Sequence, residues 1–337
     1  MKSYNVAILG AAGAVGQMIL KLLAERNFPV GELRLLATAR SAGTTATFRH
    51  REYTIEEAGP GSFKGVDIAF FCATAGASRE LAPRAVEAGA LVIDKSSAFR
   101  QDPEVPLVVP EVNPGALASH RGIVASPNCS TIQMVVALKP IHEAARIRRV
   151  VVSTYQSVSG TGREAIEELW NQTRQVLDGH KVTREVYPHQ IAFNLIPQID
   201  SFEENGYTGE EMKMVRETQK IFNDYEMRIT ATTVRVPVFY AHSESILVET
   251  ERALTVGEAR QLLQQAEGLV VLDRPEALEY PMPVHCAGRD EVFVGRIRRD
   301  LSSPNGLCFW VVADNLRKGA ATNAVQIAEY MVENGLL

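Results

Sequence analysis

Cysteine is scarce in this chain of 337 residues, and the four present, Cys72, Cys129, Cys286 and Cys308, lie far apart with no C-x-x-C spacing. That spacing indicates neither a zinc site nor a disulfide framework. No run of lysine or arginine occurs and the formal charge is −5, so no nucleic-acid partner is expected. Long apolar runs are lacking too. Residues 1–9 hold one lysine and a short apolar stretch, too little for a secretion signal or a membrane span, and a cytoplasmic protein without a membrane partner is expected. Neither repeats nor low-complexity segments occur. What remains, 46% hydrophobic and 22% charged residues, suits a globular chain long enough for about two domains, with small molecules as partners.

Residues 6–9 read as a short apolar strand, followed by Gly10-Ala11-Ala12-Gly13-Ala14-Val15-Gly16 and a helical pattern at Val15, Ile19, Leu22 and Leu23. Strand, glycine turn and helix in that order open a dinucleotide-binding unit. Glycine lets backbone approach a pyrophosphate, and the helix N-terminus supplies dipole and free N–H groups. Gly10, Ala12, Gly13, Ala14 and Val15 are the expected cofactor contacts. The next strand, 33–36, leads into Ala37-Thr38-Ala39-Arg40-Ser41, where an NAD enzyme usually places a carboxylate for the ribose. None is there, and Arg40 with Ser41 suits a 2′-phosphate, so NADP is the expected cofactor. Strands at 67–72 and 90–93 and a helix at 78–88 continue a doubly wound parallel sheet. Ala73-Thr74-Ala75-Gly76 is a cofactor wall at the carboxyl edge, and Arg100, after Asp94-Lys95-Ser96-Ser97, suits a phosphate dianion.

In Ser126-Pro127-Asn128-Cys129-Ser130-Thr131 a lone cysteine precedes an apolar helical spacing, Ile132, Val135, Val136, Leu138. Cys129 is expected at a helix N-terminus, where dipole and unpaired N–H groups favour a thiolate. Ser130 or Thr131 is expected to cap, and Pro140 to kink the helix or end it early. Cys72 and Cys308, inside apolar runs, read as inert packing, and Cys286 as an exposed bystander. After residue 129 strands at 150–153, 228–236, 245–251, 291–297 and 307–312 alternate in the manner of an antiparallel sheet with one covered face. Thr208-Gly209-Glu210-Glu211 has capping-box spacing and starts a helix to about Phe222. On it Lys213, Glu217 and Lys220 share a face that, by itself, reads as solvated. The last helix, 320–332, is expected to return to the first domain. The expected fold class is therefore α/β: an N-terminal Rossmann-type doubly wound parallel sheet, residues 1–128 plus 318–337, and a second α+β domain, residues 129–317.

Taken in order, Gly10 to Gly16, Arg40-Ser41, residues 97–100, residues 126–131, Tyr155-Gln156-Ser157-Val158-Ser159-Gly160, residues 217–220, residues 235–242, Val294-Gly295-Arg296-Ile297-Arg298 and Asp314-Asn315-Leu316 resemble the aspartate-β-semialdehyde dehydrogenase family over essentially the whole chain. The resemblance implies NADPH-dependent reductive dephosphorylation of L-aspartyl-4-phosphate to L-aspartate 4-semialdehyde through a cysteine thioester. That reaction stands on the route to lysine (through diaminopimelate), threonine and methionine. It implies Cys129 as nucleophile, His242 as acid/base and Gln156 orienting the acyl group. Arg235 would hold the substrate carboxylate, Glu217 its ammonium, and Arg100 with Lys220 the phosphate, with Asn128 beside the phosphate or reacting carbonyl. Ser159, Gly160 and Asn315 would join the cofactor site, no metal is implied, and the assembly would be a homodimer or a dimer of dimers. Chemically the set is coherent: a thioester keeps the carbonyl electrophilic, and an unperturbed histidine near pKa 6.5 passes protons both ways. Lys95, where many relatives carry asparagine, and Thr322, where many carry a bulky aromatic, depart from the pattern. An N-acetyl-γ-glutamyl-phosphate reductase is the nearest alternative, but its acylated substrate has no ammonium for Glu217 to meet.

Overall fold

The computed structural model describes residues 2–337. In chain order its elements are β1 (Tyr4–Leu9), α1 (Ala14–Glu25), β2 (Val30–Ala37), β3 (Thr45–Phe48), β4 (Arg51–Glu57), β5 (Ile68–Phe71), α2 (Ala75–Glu87), β6 (Leu91–Asp94) and β7 (Ile123–Ala125). They continue with α3 (Cys129–Ala145), β8 (Ile147–Gln156), α4 (Arg163–Leu177), α5 (Gly209–Phe222), β9 (Arg228–Arg235) and β10 (His242–Thr250). Last come α6 (Val256–Gln265), β11 (Leu269–Val271), α7 (Pro283–Cys286), β12 (Val292–Arg299), β13 (Gly306–Ala313) and α8 (Asn323–Glu333). The chain forms two compact units, one running to Asn128 and resumed at Ala320–Leu337, the other Cys129–Gly319. No helix among the described residues is long and apolar enough to cross a membrane.

In the first unit seven strands lie in the order β3-β4-β2-β1-β5-β6-β7, parallel throughout except for the β3–β4 hairpin. β1 is apolar on both sides because it is covered on both. Ile8 joins Ile19, Leu23 and Phe70 on one face, where α8 adds Ala324, Val325, Ala328 and Met331. Ala7 and Leu9 meet Leu81, Ala82 and Ala85 of α2 on the other. Arg26 at the end of α1 clasps Glu329 of α8 through Nε and Nη2 at 2.8 and 2.7 Å. The connection from β1 leads through α1 to β2 on one side, while β5 pairs on the other, so β1 and β5 flank the topological switch point where such sheets bind ligands.

In the second unit six strands run β11-β12-β13-β10-β8-β9. The sheet is mixed, not antiparallel as its alternation suggested: β11 pairs parallel with β12, and β8 with β9. The long excursion through α4 and α5 between β8 and β9 supplies the crossover that a parallel pair needs. One face is covered by α3, α5 and α6, and side chains line up across it in rows. Phe309, Ile246, Val152 and Ala231 form an apolar row. The next row is Val311, Glu244, Thr154 and Thr233. One step further, at the sheet's end, stand Ala313, His242, Gln156 and Arg235.

Several local expectations are corrected. α3 runs unbroken through Pro140, because every side chain from Ser130 to Leu138 is buried and tertiary packing outweighs the roughly 3 kcal/mol that an internal proline costs. The helix begins at Cys129 itself, so Ser130 and Thr131 lie in its first turn, beyond the N-cap position. Cys286 is buried, not exposed. The α5 charge stripe is not a solvated face: Glu217 is 1% exposed, on the side holding Met214, Thr218 and Ile221. The capping box at Thr208 is present as expected, with Thr208 Oγ1 accepting from Glu211 N and Glu211 Oε2 accepting from Thr208 N at 2.7 Å.

Candidate active site

The Cys129 side chain is half-buried at the first residue of α3, and the free N–H groups of a helix N-terminus lower the cost of a thiolate. The other cysteines are held in the thiol form. Burial pushes Cys72 up to about 12 and Cys286 up to about 11, and burial also raises Cys308. Close approach fixes the Cys129 side chain: a Cβ on Gly319 would stand 3.1 Å from the Cys129 Cβ. Gly319 occupies a π-helical turn, Arg317–Thr322, a rare geometry that is frequent at functional sites. Asp314 shapes that turn by accepting from Leu316 N at 2.8 Å and Arg317 N at 3.2 Å, with Gly288 N on its other oxygen at 2.7 Å.

His242 opens β10 and is fully buried. Its Nδ1 accepts the Ser157 backbone N–H at 3.1 Å, so the ring proton of the neutral imidazole must be on Nε2. Nε2 has no hydrogen-bond partner among the described residues. Burial first, then the Arg235 guanidinium, holds the ring well below its ordinary value, and the premise of an unperturbed histidine is thereby corrected: the resting group is a neutral N–H donor. Asn315 organises this corner. Its Oδ1 accepts Ser157 Oγ and Ser159 Oγ, both at 3.0 Å, and Ala241 N at 3.1 Å. The last bond holds Ala241 at φ 70, a left-handed conformation uncommon outside glycine. Asn315 thus braces the loop that aims His242.

Gln156 is buried at the end of β8, and its Nε2 donates to Thr154 Oγ1 and Glu210 Oε1, both at 3.3 Å. Arg235, ending β9 in the same row, is buried and donates from Nη1 to Ser157 O at 2.7 Å. Gly160 lies across both neighbours: a Cβ there would stand 3.1 Å from Arg235 Nη1 and 3.2 Å from His242 Nε2. The half-buried Lys220 follows buried Glu217 at i+3 on α5, on one side of that helix. Cys129, His242, Gln156, Arg235, Glu217, Lys220, Ser159, Gly160 and Asn315 are therefore carried by one unit. Ser157, Gly319, Asp314 and Glu210 were not singled out from the sequence as site residues. Ser157 lay within a quoted stretch, but its bond to a histidine 85 positions away has no local signature.

Arg100, Asn128 and the glycine turn are carried by the other unit. Arg100 is buried and donates from Nη2 to Lys95 O at 2.8 Å. Lys95 braces the turn before Asn128, donating from Nζ to Pro127 O at 3.1 Å and Ser126 Oγ at 3.2 Å. The buried Thr322 precedes α8 at its N-cap position. At the switch point Gly10 has φ +85, and a Cβ on it would stand 2.4 Å from Cys72 O. A Cβ on Gly16 would stand 2.3 Å from Gly10 O. Ala12, Gly13, Ala14 and Val15 follow into α1, whose N-cap, Gly13, makes no side-chain cap bond and whose first turn holds no acidic residue. Its amides and dipole are thus offered to an anion, which fits a dinucleotide pyrophosphate. Gly76 is in the first turn of α2, and Arg40 and Ser41 in a turn after β2, with Arg40 exposed. Among the described residues no group of three or more His, Cys, Asp or Glu is placed to hold a metal.

Two family models match: "Semialdehyde dehydrogenase, NAD binding domain" over residues 5–120 and "Semialdehyde dehydrogenase, dimerisation domain" over residues 138–318. The aspartate-semialdehyde dehydrogenase of Aquifex aeolicus is 57% identical over 99% of both chains. Among solved structures, aspartate semialdehyde dehydrogenase II of Vibrio cholerae complexed with ASA superposes with a TM-score of 0.96 at 50% identity, covering 99% of each chain. The Candida albicans aspartate semialdehyde dehydrogenase with NADP gives 0.79 at 26% identity over 100% of each.

Proposed function

This chain belongs to the aspartate-semialdehyde dehydrogenase family, NAD(P)-dependent phosphorylating oxidoreductases, and from that premise we propose how its residues divide the work and which cofactor it prefers. The substrate is L-aspartyl-4-phosphate, reduced with NADPH to L-aspartate 4-semialdehyde and inorganic phosphate. The observation that carries the assignment is the His242 ring: neutral, its Nδ1 committed to Ser157 N, its Nε2–H unpartnered in the row that ends in Arg235. That group is built to meet an oxygen that becomes negative.

Cys129, as thiolate, adds to the C4 carbonyl of the acyl phosphate. A C–S bond forms, the carbonyl electron pair moves onto oxygen, and Nε2–H of His242 stabilises that oxyanion. Collapse restores the carbonyl and breaks the C–O bond to phosphate, which leaves with the electron pair and gives a thioester on Cys129. When bound, NADPH supplies the hydride that reduces this thioester carbon; the carbonyl pair moves onto oxygen against Nε2–H of His242, and its return breaks the C–S bond, frees the aldehyde and leaves Cys129 as thiolate again. Gly10, Ala12, Gly13, Ala14 and Val15 would hold its pyrophosphate, Arg40 and Ser41 its 2′-phosphate, and Gly76, Ser159 and Gly160 its nicotinamide half. Arg235 binds the substrate carboxylate, Glu217 its ammonium, and Arg100, Lys220 and Asn128 the phosphate. Gln156, held by Thr154 and Glu210, orients the acyl group. The assembly is a homodimer through the second unit, or a dimer of such dimers, acting in the cytoplasm in lysine, threonine and methionine synthesis.

The test is phosphate-dependent NADP reduction by aspartate semialdehyde, followed at the nicotinamide absorbance. Mass spectrometry of protein quenched with substrate should find an acyl adduct on Cys129. Full turnover with acetylglutamyl phosphate and none with the aspartyl substrate, or turnover with no adduct at Cys129, would overturn the proposal.

A further inference from the structure

Residues 178–208, between α4 and α5, form neither helix nor strand, and so long a connection inside a compact unit is usually either functional or loose. This one is tied down. Glu168 and Gln172, one turn apart on α4 and both buried, meet its backbone. Glu168 Oε2 accepts from Glu185 N at 2.7 Å and from Val186 N, and Oε1 accepts from Tyr187 N at 3.3 Å. Gln172 Oε1 accepts from Ile191 N at 2.9 Å and Ala192 N at 3.2 Å, while Nε2 donates to Thr183 O at 2.9 Å and to Glu168 Oε1 at 3.0 Å. Every hydrogen-bonding position of that amide is thereby used. No ion pair reaches Glu168 among the described residues. Three successive backbone N–H groups and the Gln172 amide stand in for a cation, in the manner of the backbone concavities that bind anions.

The strap held in this way reaches the candidate site at two points. Tyr187 Oη donates to Thr161 Oγ1 at 2.9 Å, and Thr161 directly follows Gly160, in a turn closed by Thr161 N on Val158 O at 2.9 Å. Further along, Ile196 N donates to Arg235 O at 3.0 Å and Arg235 N to Ile196 O at 2.9 Å, so the strap also pairs with the last residue of β9. Ile191, Ala192 and Ile196 are buried together with Val158, Ala165 and Leu169. The Ser159-Gly160 turn and Arg235 both have work in the reaction above; Glu168, Gln172 and Tyr187 have none.

We propose that Glu168 and Tyr187 are positioning residues for the nicotinamide half of the cofactor: Glu168 fixes residues 185–187, and the Tyr187 hydroxyl in turn holds the Ser159-Gly160 turn in place through Thr161. The proposal rests on the reading of that turn as a wall beside the nicotinamide. Neither side chain touches substrate or nucleotide in this account. Gln172 holds the stretch that leads to Ile196, and so bears on Arg235 as well.

Tyr187→Phe removes one oxygen and should raise KM for NADP about 2- to 10-fold, with KM for aspartate semialdehyde within about twofold and Tm unchanged. Thr161→Val should do the same, and the double variant should be no worse than either single one, because each removes the same bond. Glu168→Ala leaves buried N–H groups without an acceptor and should raise KM for NADP about 10-fold or more. Gln172→Ala should raise both KM values, since it also frees the stretch before Ile196. If the alanine variants fold poorly, the phenylalanine and valine variants still decide. Wild-type KM for NADP in Tyr187→Phe, an equal rise of both KM values in that variant, or additive losses in the double variant would overturn the proposal. Gly160→Ala separates the failures. If it raises KM for NADP while Tyr187→Phe does not, only the role of the strap falls; if it too leaves KM for NADP unchanged, the reading of the turn falls as well.

Discussion

At the end of β1 the chain offers backbone. Gly10 and Gly16 have given up side chains so that strand, turn and helix close to within contact of one another, and the amides opening α1 are left uncapped. At the end of the second sheet it offers side chains, His242, Gln156 and Arg235 in register on three paired strands, with Cys129 on the helix laid over them. The difference lies in what supplies rigidity. A backbone site is protected by the absence of atoms and is damaged by adding one. A side-chain site is protected by the rows behind it and is damaged by removing one, most of all where the group forms or receives a bond in the reaction.

The largest effect follows from removal. Cys129→Ala should lower turnover by on the order of 10⁴-fold or more while leaving NADPH affinity unchanged, measured as steady-state rate beside fluorescence titration of the nucleotide. A variant that loses both equally would erase the contrast between the two sites. His242→Gln, which keeps a polar side chain in the row, should cost about 10²- to 10⁴-fold in kcat. It also carries a pH signature. Because burial and Arg235 hold the native ring well below its ordinary value, the unfolded chain takes up this proton first as pH falls through about 6.5. The unfolded state then binds more protons, and native stability drops from there downward. His242→Gln should lose that part of the slope in unfolding experiments run from pH 7.5 to pH 5, and an unchanged slope would show that the ring titrates normally.

Addition should be as damaging at the other site, though through structure. The Cβ of Gly16→Ala would meet the Gly10 carbonyl at 2.3 Å, and since backbone cannot swing aside, overpacking of this kind should cost about 1–3 kcal/mol together with NADPH affinity. Gly76→Ala is the control, because the only neighbour of its added Cβ is Thr74 Oγ1 at 3.9 Å. It should unfold with wild-type Tm, and any loss it shows should be in nucleotide binding alone.

How far such sites are legible in a sequence depends on how local they are. The strand, glycine turn and helix at 4–25, the turn before Cys129 and the capping box at Thr208 each occupy one short stretch, so spacing and residue type suffice. His242 does not. In sequence it is a histidine after Tyr240-Ala241, and its partners Ser157, Gln133 and Arg235 become neighbours only once β8, β9 and β10 pair. Glu217 reads as a surface charge until α5 packs on the sheet, and Pro140 reads as a break until α3 is buried on every side from Ser130 to Leu138. In each case long-range burial outweighs a local preference of a few kcal/mol, which no window of adjacent residues can register.

The smallest effect tests where the backbone site ends and a side chain takes over. Arg40 is exposed, lies in the turn after β2 and makes no ion pair among the described residues, so its removal should leave Tm unchanged. A hydrogen bond to a charged group contributes about 1.5–3 kcal/mol, and at a solvated site the lower end applies. Arg40→Ala should therefore weaken NADPH binding about tenfold and leave NADH binding as it was, since only the first nucleotide carries the 2′-phosphate. Because the guanidinium acts partly through long-range attraction, the wild-type preference should narrow as salt rises from 50 to 500 mM, while the variant should show almost no salt dependence. Equal weakening toward both nucleotides would mean that Arg40 shapes the turn and does not read the phosphate, and the preference would then have to come from Ser41 and the backbone around it.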